Sequence, residues 1–151
     1  EDSPLDRFRH LPNRKKCFDI FNQEYTNLNT QSSKKWKPFD SAEKVLEEIA
    51  VENDLFVVSS LLTPLLSEEV KNYHFADKII SCFGGDKTEN LNHVKTLGYQ
   101  RIVFVGDMPA DRSAAVKNGA DFYRIHPGKD RGNNEWEKMI RVLNLSVNWK
   151  L

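Results

Sequence analysis

Four side chains stand where apolar runs of the sequence break, and their types suit work on a phosphate. The run Val105-Gly106-Asp107-Met108-Pro109-Ala110-Asp111 puts two carboxylates, Asp107 and Asp111, four residues apart just beyond an apolar stretch. Hard oxygen ligands in such a position suit Mg²⁺, which takes one or two protein carboxylates and completes its shell with water and phosphate oxygens. The same pair also fits a turn aspartate followed by a helix-capping aspartate. Lys87 follows Gly84-Gly85-Asp86. Its ammonium can neutralise a phosphate as a point charge, or sit in solvent at the start of a helix. Ser59 closes the run Leu55-Phe56-Val57-Val58 and is followed by Ser60. A hydroxyl there, with loop N–H groups beside it, can hold a phosphoryl oxygen or cap a turn.

The elements that must position these residues are legible as periodic patterns. Asp40 and Glu43 have the spacing of a capping box, and Ala42, Val45, Leu46, Ile49 and Ala50 then recur at helical spacing. Leu55 to Val58 reads as a short strand, and Thr63-Pro64 opens a second helix. Ile79 to Phe83 reads as a strand ended by Gly84-Gly85. Asp86 caps a helix carrying Leu91, Val94 and Leu97, stopped by Gly98. Arg101 to Val105 is the clearest strand. A helix from Asp111 to Asn118 closes at Gly119, and Phe122 to Ile125 is a fourth strand, followed by the loop His126-Pro127-Gly128. Asn134 and Glu137 open a last helix with Trp136, Met139, Ile140 and Leu143 on one face. Strands alternating with helices imply a parallel sheet, whose ligands bind at the carboxyl ends of strands. Residues 1–38 are polar, with basic clusters at Arg14-Lys15-Lys16 and Lys34-Lys35, and form a separate N-terminal segment ahead of the 39–151 core.

Composition sets the boundaries. The 151 residues suffice for one domain with a core, and 39% are hydrophobic. Lys plus Arg equals Asp plus Glu at 22 each, which removes a whole-chain electrostatic case for nucleic acid or an anionic membrane. No apolar run approaches the length of a membrane span. Cys17 and Cys82 form no CxxC site or disulfide framework, Cys82 reads as a buried thiol, and a reducing, cytoplasmic setting fits. His10, His74, His93 and His126 are scattered and suggest no metal constellation.

Taken in order, a strand ending in Ser59, a lysine at a helix start and a strand ending in Gly-Asp-x-x-x-Asp resemble the second, third and fourth motifs of the haloacid dehalogenase (HAD) superfamily. The segments are Val57-Val58-Ser59-Ser60, Gly84 to Leu91, and Val103 to Asp121, and the stretch over which they are ordered, from about Leu55 to His126, is roughly half of the chain. Thr88 stands where relatives often have Pro, and Ser60 where they often have Asn. The resemblance implies a three-layer, Rossmann-like α/β fold. It also implies a Mg²⁺-dependent phosphohydrolase, similar to phosphoglycolate-phosphatase-like members, acting on a small phosphorylated metabolite through an aspartyl-phosphate. Asp107 would be the metal ligand with Asp111 supporting it, and Lys87 and Ser59 would grip the phosphoryl group.

The family's first motif, an apolar strand ending in Asp-x-Asp that supplies the nucleophile, has no counterpart before Asp40. Three accounts follow. The strand lies upstream of Glu1, with Phe8 to Tyr25 as the start of a small helical cap. Or Cys17 to Phe21 is a degenerate first strand with Asp19 as nucleophile, although Phe18, Phe21 and Tyr25 recur at helical spacing. Or the motif is lost, giving a catalytically inactive HAD-like binding module or a domain of a larger protein. In the resembling fold that strand lies between the second and fourth, so its absence opens a gap of unpaired backbone groups. A receiver-like or flavodoxin-like domain is a further alternative, weakened by the lack of the acidic pair and phosphorylatable Asp that a receiver needs in order.

Overall fold

The computed structural model describes residues 40–127 and 134–145, with Pro38 and seven residues of the N-terminal stretch. The chain divides into two compact units, Glu1–Lys37 and Pro38–Leu151. In the first unit Lys16, Asp19, Ile20, Gln23, Glu24, Asn27 and Leu28 are helical. Asp19 and Ile20 are exposed as well as helical, so the reading of Cys17–Phe21 as a strand fails at these two positions. A helix-period pattern cannot serve a strand buried on both faces.

The second unit runs α1 (Asp40–Ile49), β1 (Leu55–Ser59), α2 (Thr63–Val70), a 3-10 turn (Ala76–Lys78), β2 (Ile79–Gly84), α3 (Lys87–Thr96), β3 (Val103–Gly106), α4 (Pro109–Asn118), β4 (Asp121–Arg124) and α5 (Glu135–Leu143). It is a mixed α/β unit with parallel pairing. β1 pairs with β2 and β3 with β4, as two separate two-stranded sheets among the described residues. Ser59 stands opposite Gly84, and Gly106 opposite Arg124, so each pair ends level. Parallel neighbours need a long crossover, and helices supply it in both pairs.

Two apolar clusters hold these elements. Val45 and Ile49 of α1 meet Met139 and Ile140 of α5, and Leu55, Val105 and Tyr123 pack against them. Leu91 of α3 meets Ala114 and Ala115 of α4, with Ile102, Phe104 and Phe122 alongside. Successive strand residues point to opposite faces. Accordingly Phe104 and Phe122 join the second cluster while their chain neighbours Val105 and Tyr123 join the first. The β3–β4 pair is therefore covered on both faces. On β1 and β2, Phe56 stacks on Phe83 at 6.1 Å and meets Tyr99 edge-on at 5.7 Å. The Tyr99 hydroxyl donates to Asp54 Oδ2 at 2.6 Å, fixing the turn before β1.

Several boundaries differ from the sequence expectation, each for a local reason. The helix after β3 begins at Pro109, so Asp111 occupies its first turn instead of capping it. Pro109 has the fixed φ that suits a first helical position. Thr63 does not cap α2; its hydroxyl accepts the Gly84 N–H at 2.9 Å. Arg101 falls outside β3 and pairs with Asp121 at 2.8 Å. Asp86 caps α3 as expected, accepting from the Thr88 and Glu89 N–H groups at 2.8 and 2.9 Å. α4 ends at Gly119, whose φ of 67° is the left-handed geometry expected of a helix stop.

Met139 is 1% exposed at the α1–α5 contact. Met139→Ala should lower unfolding stability by about 2–5 kcal/mol, read by denaturant titration. Cys82 lies half-buried in β2, and burial pushes its thiol above the ordinary value. In a Cys17→Ser background, alkylation of Cys82 by iodoacetamide at pH 8 should be several-fold slower than for an exposed cysteine peptide. Its pH midpoint should lie above the peptide's, because only the thiolate reacts.

Candidate functional site

β1 and β2 end side by side. The Gly85 N–H donates to the Ser59 carbonyl at 2.9 Å, so the turn after β2 is tied to the last residue of β1. Gly84 is enclosed by the β1–α2 loop: a Cβ there would lie 2.1 Å from the Leu61 carbonyl oxygen and 2.3 Å from the Thr63 nitrogen. Asn90 reaches back from α3 and donates to the Gly84 carbonyl at 3.0 Å. Ser59 Oγ accepts the Leu61 N–H at 3.2 Å. That bond uses a lone pair and leaves the hydroxyl proton to be donated elsewhere.

Asp86 sets the first residue of α3, and that residue is Lys87. Its Nζ crosses to Asp111 Oδ1 at 2.5 Å, joining segments that follow β2 and β3. The Lys87 side chain is 20% exposed and that of Asp111 is 4% exposed. The other Asp111 oxygen accepts the Asp107 and Met108 N–H groups at 3.2 and 3.0 Å. Strand β3 can reach this carboxylate only because it ends in glycine. A Cβ on Gly106 would stand 2.4 Å from Asp111 Oδ2.

Lys87, Asp107 and Asp111 are thus joined by direct contacts beyond the carboxyl ends of β2 and β3, while Ser59 closes β1 and is tied through its carbonyl to Gly85 after β2. Within this group Asp107 and Asp111 differ sharply. Asp107 is exposed, and its carboxylate makes no ion pair among the described residues. Asp111 is buried and engaged at both oxygens. Asp107 therefore presents the free oxygen donors, while Asp111 holds the turn and the lysine. No group of three or more His, Cys, Asp or Glu side chains is placed to hold a metal ion among the described residues. The donor chemistry of Asp107 fits one position of a hard cation otherwise coordinated by water and phosphate oxygens. Ser60 is exposed beside Ser59. His126 pairs with Glu135 at 3.1 Å, Nδ1 to Oε1, which ties the segment after β4 to α5.

Asn118 is a supporting residue that sequence reading passed over. It is 7% exposed and donates to the Thr88 carbonyl at 3.1 Å and the Ala114 carbonyl at 2.9 Å. It thereby links α4 to the first turn of α3, next to Lys87. A signal was present: Asp111, Ala114, Ala115 and Asn118 lie at i, i+3, i+4 and i+7, and all four are buried. A polar residue closing such a stripe has to be hydrogen-bonded inside the protein. Asn90 and Thr63 carry no comparable signal, because their partners come from other segments.

Asp111→Asn should strand the lysine and cost about 3 kcal/mol of stability, the low end for breaking a buried pair because Lys87 keeps some water access. Adding Lys87→Met should restore part of that loss, and a double-mutant cycle in urea measures the coupling. The chain matches no family model, no curated protein and no solved structure.

Proposed function

We propose that this chain is the core of an HAD-like, three-layer α/β phosphohydrolase, whose strand ends bind the phosphoryl group of a small phosphorylated metabolite. One observation carries the reading: Lys87 and Asp111 meet at 2.5 Å across segments that follow different strands, with the exposed Asp107 in the turn that Asp111 holds and Ser59 at the end of the strand paired with β2. A phosphoryl group at this rim would meet donors suited to it. Lys87 has three N–H donors and spends one on Asp111, and the Ser59 hydroxyl retains its proton. The turn glycines allow a close approach of backbone. Fixed donors of this kind stabilise charge that develops in the transition state without reorganising.

Asp107 is the residue that would hold a Mg²⁺ ion, whose chemistry is to offset charge on the phosphoryl oxygens. Asp111 acts one step back: it orients Lys87 and the Asp107 backbone. The attacking carboxylate that an aspartyl-phosphate route requires is not assigned. Asp19, the candidate in this sequence, is helical in the separate N-terminal unit. That fact favours a second reading, an HAD-like module that binds phosphorylated ligands without turning them over.

Hydrolysis of p-nitrophenyl phosphate with Mg²⁺ separates the two. An enzyme should lose about 100-fold or more in kcat/KM on Asp107→Ala or Lys87→Ala. Activity unchanged by Asp107→Ala removes the metal role. A binding module should show no turnover, yet bind inorganic phosphate in calorimetry, and lose that binding on Lys87→Ala. Absence of both turnover and phosphate binding overturns the site.

A further inference from the structure

Each end of the β3–β4 pair carries an arginine, and the two differ in their partners. Arg101, just ahead of β3, holds Asp121 at the start of β4 at 2.8 Å. Arg124 closes β4 at the opposite, carboxyl end. It is exposed, and its guanidinium makes no ion pair or hydrogen bond among the described residues. On the adjoining segments, Asp111, Asp121 and Glu135 are committed elsewhere: to Lys87 and the Asp107–Met108 turn, to Arg101, and to the His126 N–H and ring. Exposed arginines are ordinary, and it is the place of this one that is informative.

Strand geometry fixes the face to which Arg124 belongs. Phe122 packs on the α3–α4 cluster and Tyr123 on the α1–α5 cluster, so Arg124, two residues beyond Phe122, returns to the α3–α4 face. Its register partner is Gly106. On that face Gly106 is overlain by the Asp111 carboxylate, which a Cβ there would strike. Parallel neighbours lie about 4.8 Å apart, so Arg124 starts one strand away from the aspartate that holds Lys87. Lys87 opens α3, which packs on this same face. Both cations therefore adjoin Asp111 at the strand ends. Lys87 has two N–H donors left, and Arg124 keeps its whole planar fork.

We propose that Arg124 is a second anion subsite beside Lys87, so that this rim takes a small phosphate monoester whose leaving group carries a further anionic group, a carboxylate or a second phosphate. Lys87 meets the phosphoryl oxygens, and the Arg124 fork reads the second group through two parallel N–H···O bonds, a geometry that either oxyanion matches. The inference rests on the phosphoryl-binding reading of Lys87 and adds to it which esters are preferred.

The probes are propyl phosphate, 2-carboxyethyl phosphate and propane-1,3-diyl bisphosphate, which share a three-carbon chain and differ at its far end. Affinity is read by calorimetry on the full chain with Mg²⁺, and phosphate release in the same samples reports any turnover. The better of the two charged esters should bind about tenfold or more tightly than propyl phosphate, and its identity names the second group. Arg124→Met should bring it down to the propyl phosphate level. Arg124→Lys should keep part of the preference, because an ammonium retains the charge without the fork. Arg112→Met removes an exposed charge beside Asp111 on α4 and should leave the preference in place. Equal affinity for all three esters overturns the subsite. So does a preference that survives Arg124→Met, or one that Arg112→Met removes equally. In each of those cases the phosphoryl site still stands if propyl phosphate binds and Lys87→Ala abolishes that binding. If no ester binds, the phosphoryl reading falls and the subsite falls with it.

Discussion

A buried aspartate receives a lysine on one oxygen and two backbone N–H groups on the other, and the arrangement of the strand ends follows from that constraint. An ionised carboxylate taken out of water is tolerated only when paired and hydrogen-bonded. Asp111 meets the condition by drawing in Lys87 from 24 residues away and by folding the Asp107–Met108 turn around itself. The geometry is reciprocal. Lys87 is held near β3, Asp107 is turned outward, and Gly106 must remain without a side chain.

Around this pair, small and polar residues act as spacers and clamps. Gly84 lets the β1–α2 loop lie against β2, and Thr63 closes that approach with a hydrogen bond. Asn90 and Asn118 bind carbonyls at either end of the Gly84–Thr88 segment. The segment carrying Lys87 is therefore fixed from several directions, as a charge-binding group must be to act without rearrangement. The apolar clusters supply the frame: α1 with α5 on one face of β3–β4, and α3 with α4 on the other.

The strand ends present donors for an anion in Lys87 and the Ser59 hydroxyl, and an exposed carboxylate in Asp107. No described helix is long and apolar enough to cross a membrane.

Local patterns in the sequence determined much of the unit. The apolar runs at Leu55–Val58, Ile79–Phe83 and Val103–Val105, the Asp86 cap and the Gly119 stop all report interactions within a few residues, so they are readable along the chain. The candidate site residues were legible for the same reason: each ends an apolar run or opens a helix. Their division of labour was not. Asp107 and Asp111 look alike in sequence, and only packing makes one exposed and the other a buried partner of Lys87. Likewise the clamps by Thr63 and Asn90 depend on which segments lie side by side. Short-range periodicity carries no record of that, because it is settled by burial and hydrogen-bond satisfaction across the whole unit.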